Sequence, residues 1–122
     1  MIKGVVVTTD NKVEAKIFKE PTFMSISKEV GGMEIIRPKC AYTKGYLKKG
    51  QCFVCDDLGL IKNLKPNFIA STLYGASTVV GNIAIVKEGY TSEGVDFVDM
   101  PDKEVEKIVE MVNGLLERRQ YQ

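Results

Sequence analysis

Thr78-Val79-Val80-Gly81-Asn82-Ile83-Ala84-Ile85-Val86-Lys87 is the stretch on which the fold turns. Val79, Val80, Ile83, Ile85 and Val86 supply apolar side chains to both faces of an extended chain, so 78–87 reads as a strand covered on two sides. A glycine inside such a run marks a bulge or a close approach of another backbone, and Gly81 stands there. A doubly covered strand needs neighbours on its edges and apolar layers above and below it.

The remaining sequence supplies both. Residues 2–8 are largely β-branched and predict a second strand buried on both faces. Thr9-Asp10-Asn11 provides turn chemistry, because Asp and Asn tolerate positive φ. Alternation over 12–18 then places Val13, Ala15 and Ile17 inward and Lys12, Glu14 and Lys16 outward, completing a hairpin. After Pro21, 23–30 reads as a short helix stopped by Gly31-Gly32. Strands are expected over 33–37 and 51–56, with a further one over 60–64 across the turn Asp56-Asp57-Leu58-Gly59. Residues 67–74 are open between a short helix and irregular chain, and 96–98 suggests a short edge strand. Asp99 and Pro101 begin a helix on which Val105, Ile108, Val109, Val112, Leu115 and Leu116 form one apolar stripe. Because strands and helices do not alternate regularly, the class is α+β. The expectation is a single domain over 1–122: a mostly antiparallel sheet of five to six strands within 1–99, with a short helix after the first hairpin. An amphipathic helix over 100–118 packs on the sheet, and 119–122 form a tail.

The bulk numbers exclude several classes. At 122 residues and 44% hydrophobic content the chain can bury a core, and three cysteines are too few and odd in number for a disulfide scaffold. A formal charge of +1 gives no global field for nucleic acid or membrane. The charge is segregated, however: 37–65 holds seven cations against Asp56 and Asp57, while 91–122 holds eight acids against four bases. No stretch resembles a secretory leader or a membrane span, so the expected setting is a reducing cytoplasm, away from any membrane.

Chemistry-bearing residues are sparse. The absence of histidine removes the commonest general base and the commonest metal ligand. Cys52 and Cys55, with Cys40 upstream, fall short of four zinc ligands. On a strand, residues three apart also face opposite ways. They read as buried hydrophobes, with no metal and no cofactor. Glu34 alternates with Met33 and Ile35 and is a partly buried candidate base, while Asp56 and Asp57 read as turn residues. The hydroxyl-rich run 70–78 reads as capping and turn chemistry, and no Walker, nucleophile-elbow or dinucleotide fingerprint occurs. No catalytic residue is assigned. The best candidate surface for a ligand or partner is the basic stretch with Arg37, Lys39, Tyr42, Lys44, Tyr46, Lys48 and Lys49, weighed against an ordinary solvated loop. Its cations suit phosphates, its tyrosines suit a stacked ring, and Asn67 is added as a reader of a base edge.

Three motifs in order carry a resemblance: Val30-Gly31-Gly32-Met33-Glu34-Ile35-Ile36; Gly59 with Leu64, Pro66 and Asn67; and Val80-Gly81-Asn82-Ile83-Ala84-Ile85-Val86. Over 2–87 the chain resembles a small domain family of phages, plasmids and conjugative elements with no established activity. Glu34 stands one place earlier than that pattern has it, and Asn63 occupies a position where glycine is common. The resemblance implies a mobile-element setting and a compact α+β fold. The function expected from it is that of a non-enzymatic phage or mobile-element protein that counteracts a host defence by binding a CRISPR or restriction component. The alternatives are an oligomeric sponge for a nucleotide second messenger and a small enzyme of undefined reaction. Partners are then a host defence protein or an anionic nucleotide ligand, nucleic acid being less favoured. The C-terminal stripe packs on its own sheet or exchanges in a homodimer.

Overall fold

A computed structural model describes residues 1–37 and 46–120, with the side chains of Arg119 and Gln120 left aside. The elements are β1 (Ile2–Val7), β2 (Val13–Phe18), α1 (Thr22–Val30), β3 (Glu34–Ile36), β4 (Gln51–Cys55), α2 (Phe68–Tyr74), β5 (Ile83–Thr91), β6 (Gly94–Val98) and α3 (Asp102–Gln120). They form one open, antiparallel six-stranded sheet in the order β2-β1-β5-β4-β3, with β6 also paired to β5. The chain is α+β, as its sequence predicts.

The long strand is central, shifted toward the C-terminus from its expected place. Gly81 has φ +79, which breaks the extended chain, so β5 begins at Ile83 and runs on to Thr91. Val80 is left in an isolated bridge to Pro66. One edge of β5 carries β4 along 84–87, while the other carries β1 along 83–85 and then β6 along 87–91. The expected strand over 60–64 is instead part of a tight turn held by main-chain bonds such as Lys62 to Leu58 and Leu64 to Gly59. Leu60 and Ile61 stand 81% and 83% exposed, so their apolar character does not place them in the sheet.

Two cores flank the sheet. On one face Val5, Val7, Phe53, Ile83 and Ile85 meet Ile69 and Leu73 of α2 and Val105, Ile108, Val112 and Leu115 of α3. On the other, Val6, Cys52, Val54, Ala84 and Val86 meet Ile26 and Val30 of α1. The C-terminal stripe therefore packs on its own sheet. β2 departs from its predicted alternation: Ala15 and Ile17 face the α3 side yet remain exposed, because β2 is the sheet's edge and α3 does not cover it fully. No helix among the described residues is long and apolar enough to cross a membrane.

The contact between β1 and β5 is tight at Gly4, where a Cβ would lie 2.8 Å from the carbonyl oxygen of Ile85 and 3.0 Å from the Phe18 ring. Gly4→Ala is expected to force these strands apart and destabilise the protein by about 1–3 kcal/mol, read as a lowered urea midpoint at unchanged slope. A midpoint equal to wild type would show that the strands yield there.

Candidate functional site

Among the described residues, those singled out in the sequence do not gather into one site. Arg37 is engaged by the Glu88 carboxylate through two bonds, Nε to Oε1 at 2.6 Å and Nη2 to Oε2 at 2.8 Å, so its charge is answered within the fold. Lys39, Tyr42 and Lys44 lie outside the described residues. Tyr46 is half-buried against the core, and Lys48 and Lys49 are exposed. Tyr46 and Lys48 border a recess of about 80 Å3 beside Glu104 and Lys107 of α3, too small for a nucleotide.

Asn67 is the clearest correction. It is fully buried and caps α2: its Oδ1 accepts from Ala70 N at 3.0 Å, and its Nδ2 donates to Val7 O at 3.0 Å and Gly81 O at 2.9 Å. Every polar atom of that carboxamide is bonded to main chain, so it cannot read the edge of a ligand. Glu34 is likewise corrected, being exposed rather than partly buried, with Oε2 4.0 Å from Cys55 Sγ. Cys52 and Cys55 do face opposite cores, and burial pushes their thiols up to about 12 and about 11. Neither is a ready nucleophile at neutral pH.

A larger cleft lies elsewhere. A cavity of about 420 Å3 opens where the C-terminal end of α1, the turn after β4, the β1–β2 turn and the segment before β5 meet. Lys28 and Gly31 come from α1 and its cap, Asp56, Lys62 and Lys65 from the turn, Thr9 from the hairpin, and Gly81 and Asn82 from the approach to β5. Two glycines make this convergence sterically feasible. A Cβ on Gly32 would sit 2.6 Å from Asp57 Oδ1 and 2.8 Å from Asp56 Cα, and one on Gly81 would sit 2.8 Å from Leu64 Cδ1. Thr9 N donates to Asn82 Oδ1 at 3.1 Å, which joins the hairpin to the start of β5.

The cleft's charges divide into answered and unanswered. Asp56, whose side chain is only 3% exposed, accepts from Lys62 Nζ at 2.7 Å through Oδ2 and from Leu58 N at 2.9 Å through Oδ1. Lys62 Nζ also reaches Gly31 O at 3.4 Å, tying the turn to the end of α1. The Lys62 hydrogen bond, followed by the Leu58 amide, holds the Asp56 carboxyl below its ordinary value. Glu29 is paired with Lys16 at 2.8 Å. Among the described residues Lys28 and Lys65 have no carboxylate partner. The cleft therefore offers an anionic group two unpaired cations, with Thr9 and Asn82 also among its lining residues. The three motifs each contribute to this one cavity. Lys28 and Lys65 carry no joint signal in the sequence, because they stand 37 positions apart and no periodicity spans such a gap.

No family model and no curated protein matches the chain. Among solved structures, the crystal structure of the small RNA methyltransferase HEN1 is similar in fold, with a TM-score of 0.59 and 18% sequence identity. The likeness covers 88% of this chain and 16% of that one, so the chain spans a small part of its neighbour's length. It overturns the expected function, a non-enzymatic blocker of a CRISPR or restriction component with a second-messenger sponge as its alternative. The same arrangement of strands and helices is carried within an enzyme.

Two outcomes follow from this geometry. Asn67→Asp keeps the side chain's shape but sets a charge against two carbonyl oxygens, and is expected to cost about 3 kcal/mol or more of stability in urea unfolding. Retention of wild-type stability would show that the bracket is dispensable. For Asp56, a depressed folded-state value stabilises the protein above the ordinary carboxylate range, and that contribution disappears as pH falls from about 4 through the depressed value. Lys62→Met should flatten this acid-side loss in a pH series of thermal melts; an identical profile in both proteins would place its origin elsewhere.

Proposed function

We propose that the chain is an RNA-contacting module of an RNA-modifying enzyme system, gripping the phosphate backbone in the cleft bordered by Lys28 and Lys65. The observation that carries this reading is the pair of lysines on one cavity of about 420 Å3, neither answered by a carboxylate among the described residues. An RNA phosphate supplies the missing negative charge, and each contact releases counterions from the strand. The similarity in fold to a small RNA methyltransferase supports RNA over other polyanions. The reading takes no catalytic step from that neighbour, since the likeness extends over 16% of it.

The glycines and the Asp56–Lys62 pair suit such a role. They brace the cleft before anything enters it, so little conformational freedom remains to be lost on binding. Lys62 would contribute less to affinity than Lys28 or Lys65, because Asp56 already neutralises it.

Fluorescence anisotropy with a short single-stranded RNA across a salt series tests this. Lys28→Ala/Lys65→Ala should weaken binding and reduce the log–log salt slope by about 1.4, two phosphate contacts' worth for a single strand. Lys103→Ala, an exposed cation on α3 away from the cleft, should leave both unchanged. Absence of RNA binding at low salt, or a double variant that matches wild type, would overturn the reading.

A further inference from the structure

β2 leaves one side of its backbone unpaired. It is the terminal strand of the sheet, and among the described residues no strand pairs with its outer edge. Thr8 N donates to Lys12 O at 2.9 Å, so by alternation the next bonded pairs are Val6 with Glu14 and Gly4 with Lys16. Lys3 N agrees with this alternation, turning away from β2 to Asp99 Oδ1 at 2.7 Å. The N–H and C=O groups of Val13, Ala15 and Ile17 therefore point outward, a template for a further strand.

The side chains on this edge are those of an incompletely covered sheet. Val13, Ala15 and Ile17 share the α3 side, where Ile17 is 54% exposed. Ala15 and Ile17 line a groove of about 330 Å3 together with Val105 and Glu106 of α3. Glu14 and Lys16 stand on the opposite face, Lys16 held by Glu29 of α1 at 2.8 Å. The run Val13-Glu14-Ala15-Lys16-Ile17 is complementary to its own reverse. With Ala15 at the centre, Val13 meets Ile17 and Glu14 meets Lys16.

We infer that a second copy of this chain pairs with β2 along this edge, antiparallel about a two-fold axis at Ala15, joining two sheets into one. The two Ala15 residues exchange main-chain hydrogen bonds, and Val13 does so with the partner's Ile17 at either end. Glu14 lies opposite the partner's Lys16 in the non-hydrogen-bonded pairs, where facing side chains are closest. Charge fixes the register. Sliding one copy by two residues sets Glu14 against Glu14 or Lys16 against Lys16, and sliding by one turns an apolar face onto a charged one. Because the two-fold consumes this edge in both copies, the assembly closes at a dimer. Neither Lys28 nor Lys65 takes part, so the inference stands or falls apart from the RNA-contact reading.

Light scattering across a concentration series tests this, with melting curves to verify that each variant folds. Wild type should reach twice the mass of one chain. Ala15→Pro removes an outward N–H and leaves the ladder to β1 intact, a change that edge strands tolerate, and should halve that mass. Glu14→Lys should halve it too, by opposing like charges. Lys16→Glu/Glu29→Lys, which keeps the pair to α1 with its signs exchanged, should also remain single. Mixed with the Glu14→Lys protein it should form a mixed dimer, because the combination restores opposite charges at both positions. Wild type that stays single at every concentration overturns the inference. So does a dimer that survives Ala15→Pro or Glu14→Lys, or a mixture that stays unpaired.

Discussion

The Asn67 carboxamide holds the site end of the molecule together. Its three hydrogen bonds reach the end of β1 at Val7, the approach to β5 at Gly81 and the first turn of α2 at Ala70, segments that are 60, 14 and 3 positions away in the chain. In a site with no exposure to water, each bond satisfies a main-chain group that would otherwise be buried unpaired. Thr9, Gly81, Asn82 and Lys65 all lie within a few residues of the atoms it ties. This buried amide, together with the close approaches at Gly32 and Gly81, fixes the segments that border the cleft.

Charge follows a similar division between internal and outward use. Arg37 with Glu88, Lys87 with Glu104 and Lys3 with Asp102 are cations answered from other elements, and Lys62 is answered by Asp56 within one turn. Each such pair removes a positive charge from what a polyanion would meet. At the cleft, Lys28 and Lys65 keep their charge unpaired among the described residues, while the overall charge is only +1. This separates the molecule from proteins that hold nucleic acid by a broad basic field.

Much of the fold was legible. The β-branched runs, the alternating second strand, the Gly31 stop at φ +91 and the apolar stripe of α3 each correspond to an observed element, because periodicity and cap chemistry are local properties. Asn11 takes positive φ where turn chemistry predicts it. Legibility failed at 60–64, where apolar residues form an exposed turn, and at the start of β5, where the break at Gly81 outweighs the β propensity of Val79 and Val80. For the site, charge density along the chain pointed to 37–49, but Glu88 reaches back to neutralise Arg37 from another strand. Asn67 looked available because its type is polar, yet a polar residue completes a buried network equally well.

The sequence by itself determined the α+β class, the doubly covered central strand, the places where glycine and asparagine turn the chain, and the face that α3 buries. These depend on side-chain period and on the φ range each residue tolerates, both set within a few positions. Only the tertiary structure decided that Arg37 is spent on Glu88, that Asn67 is buried in a main-chain network, and that Lys28 and Lys65 share one cavity. Those facts depend on which atoms of distant segments come within hydrogen-bonding distance, and sheet order and helix packing set that once the whole chain has folded.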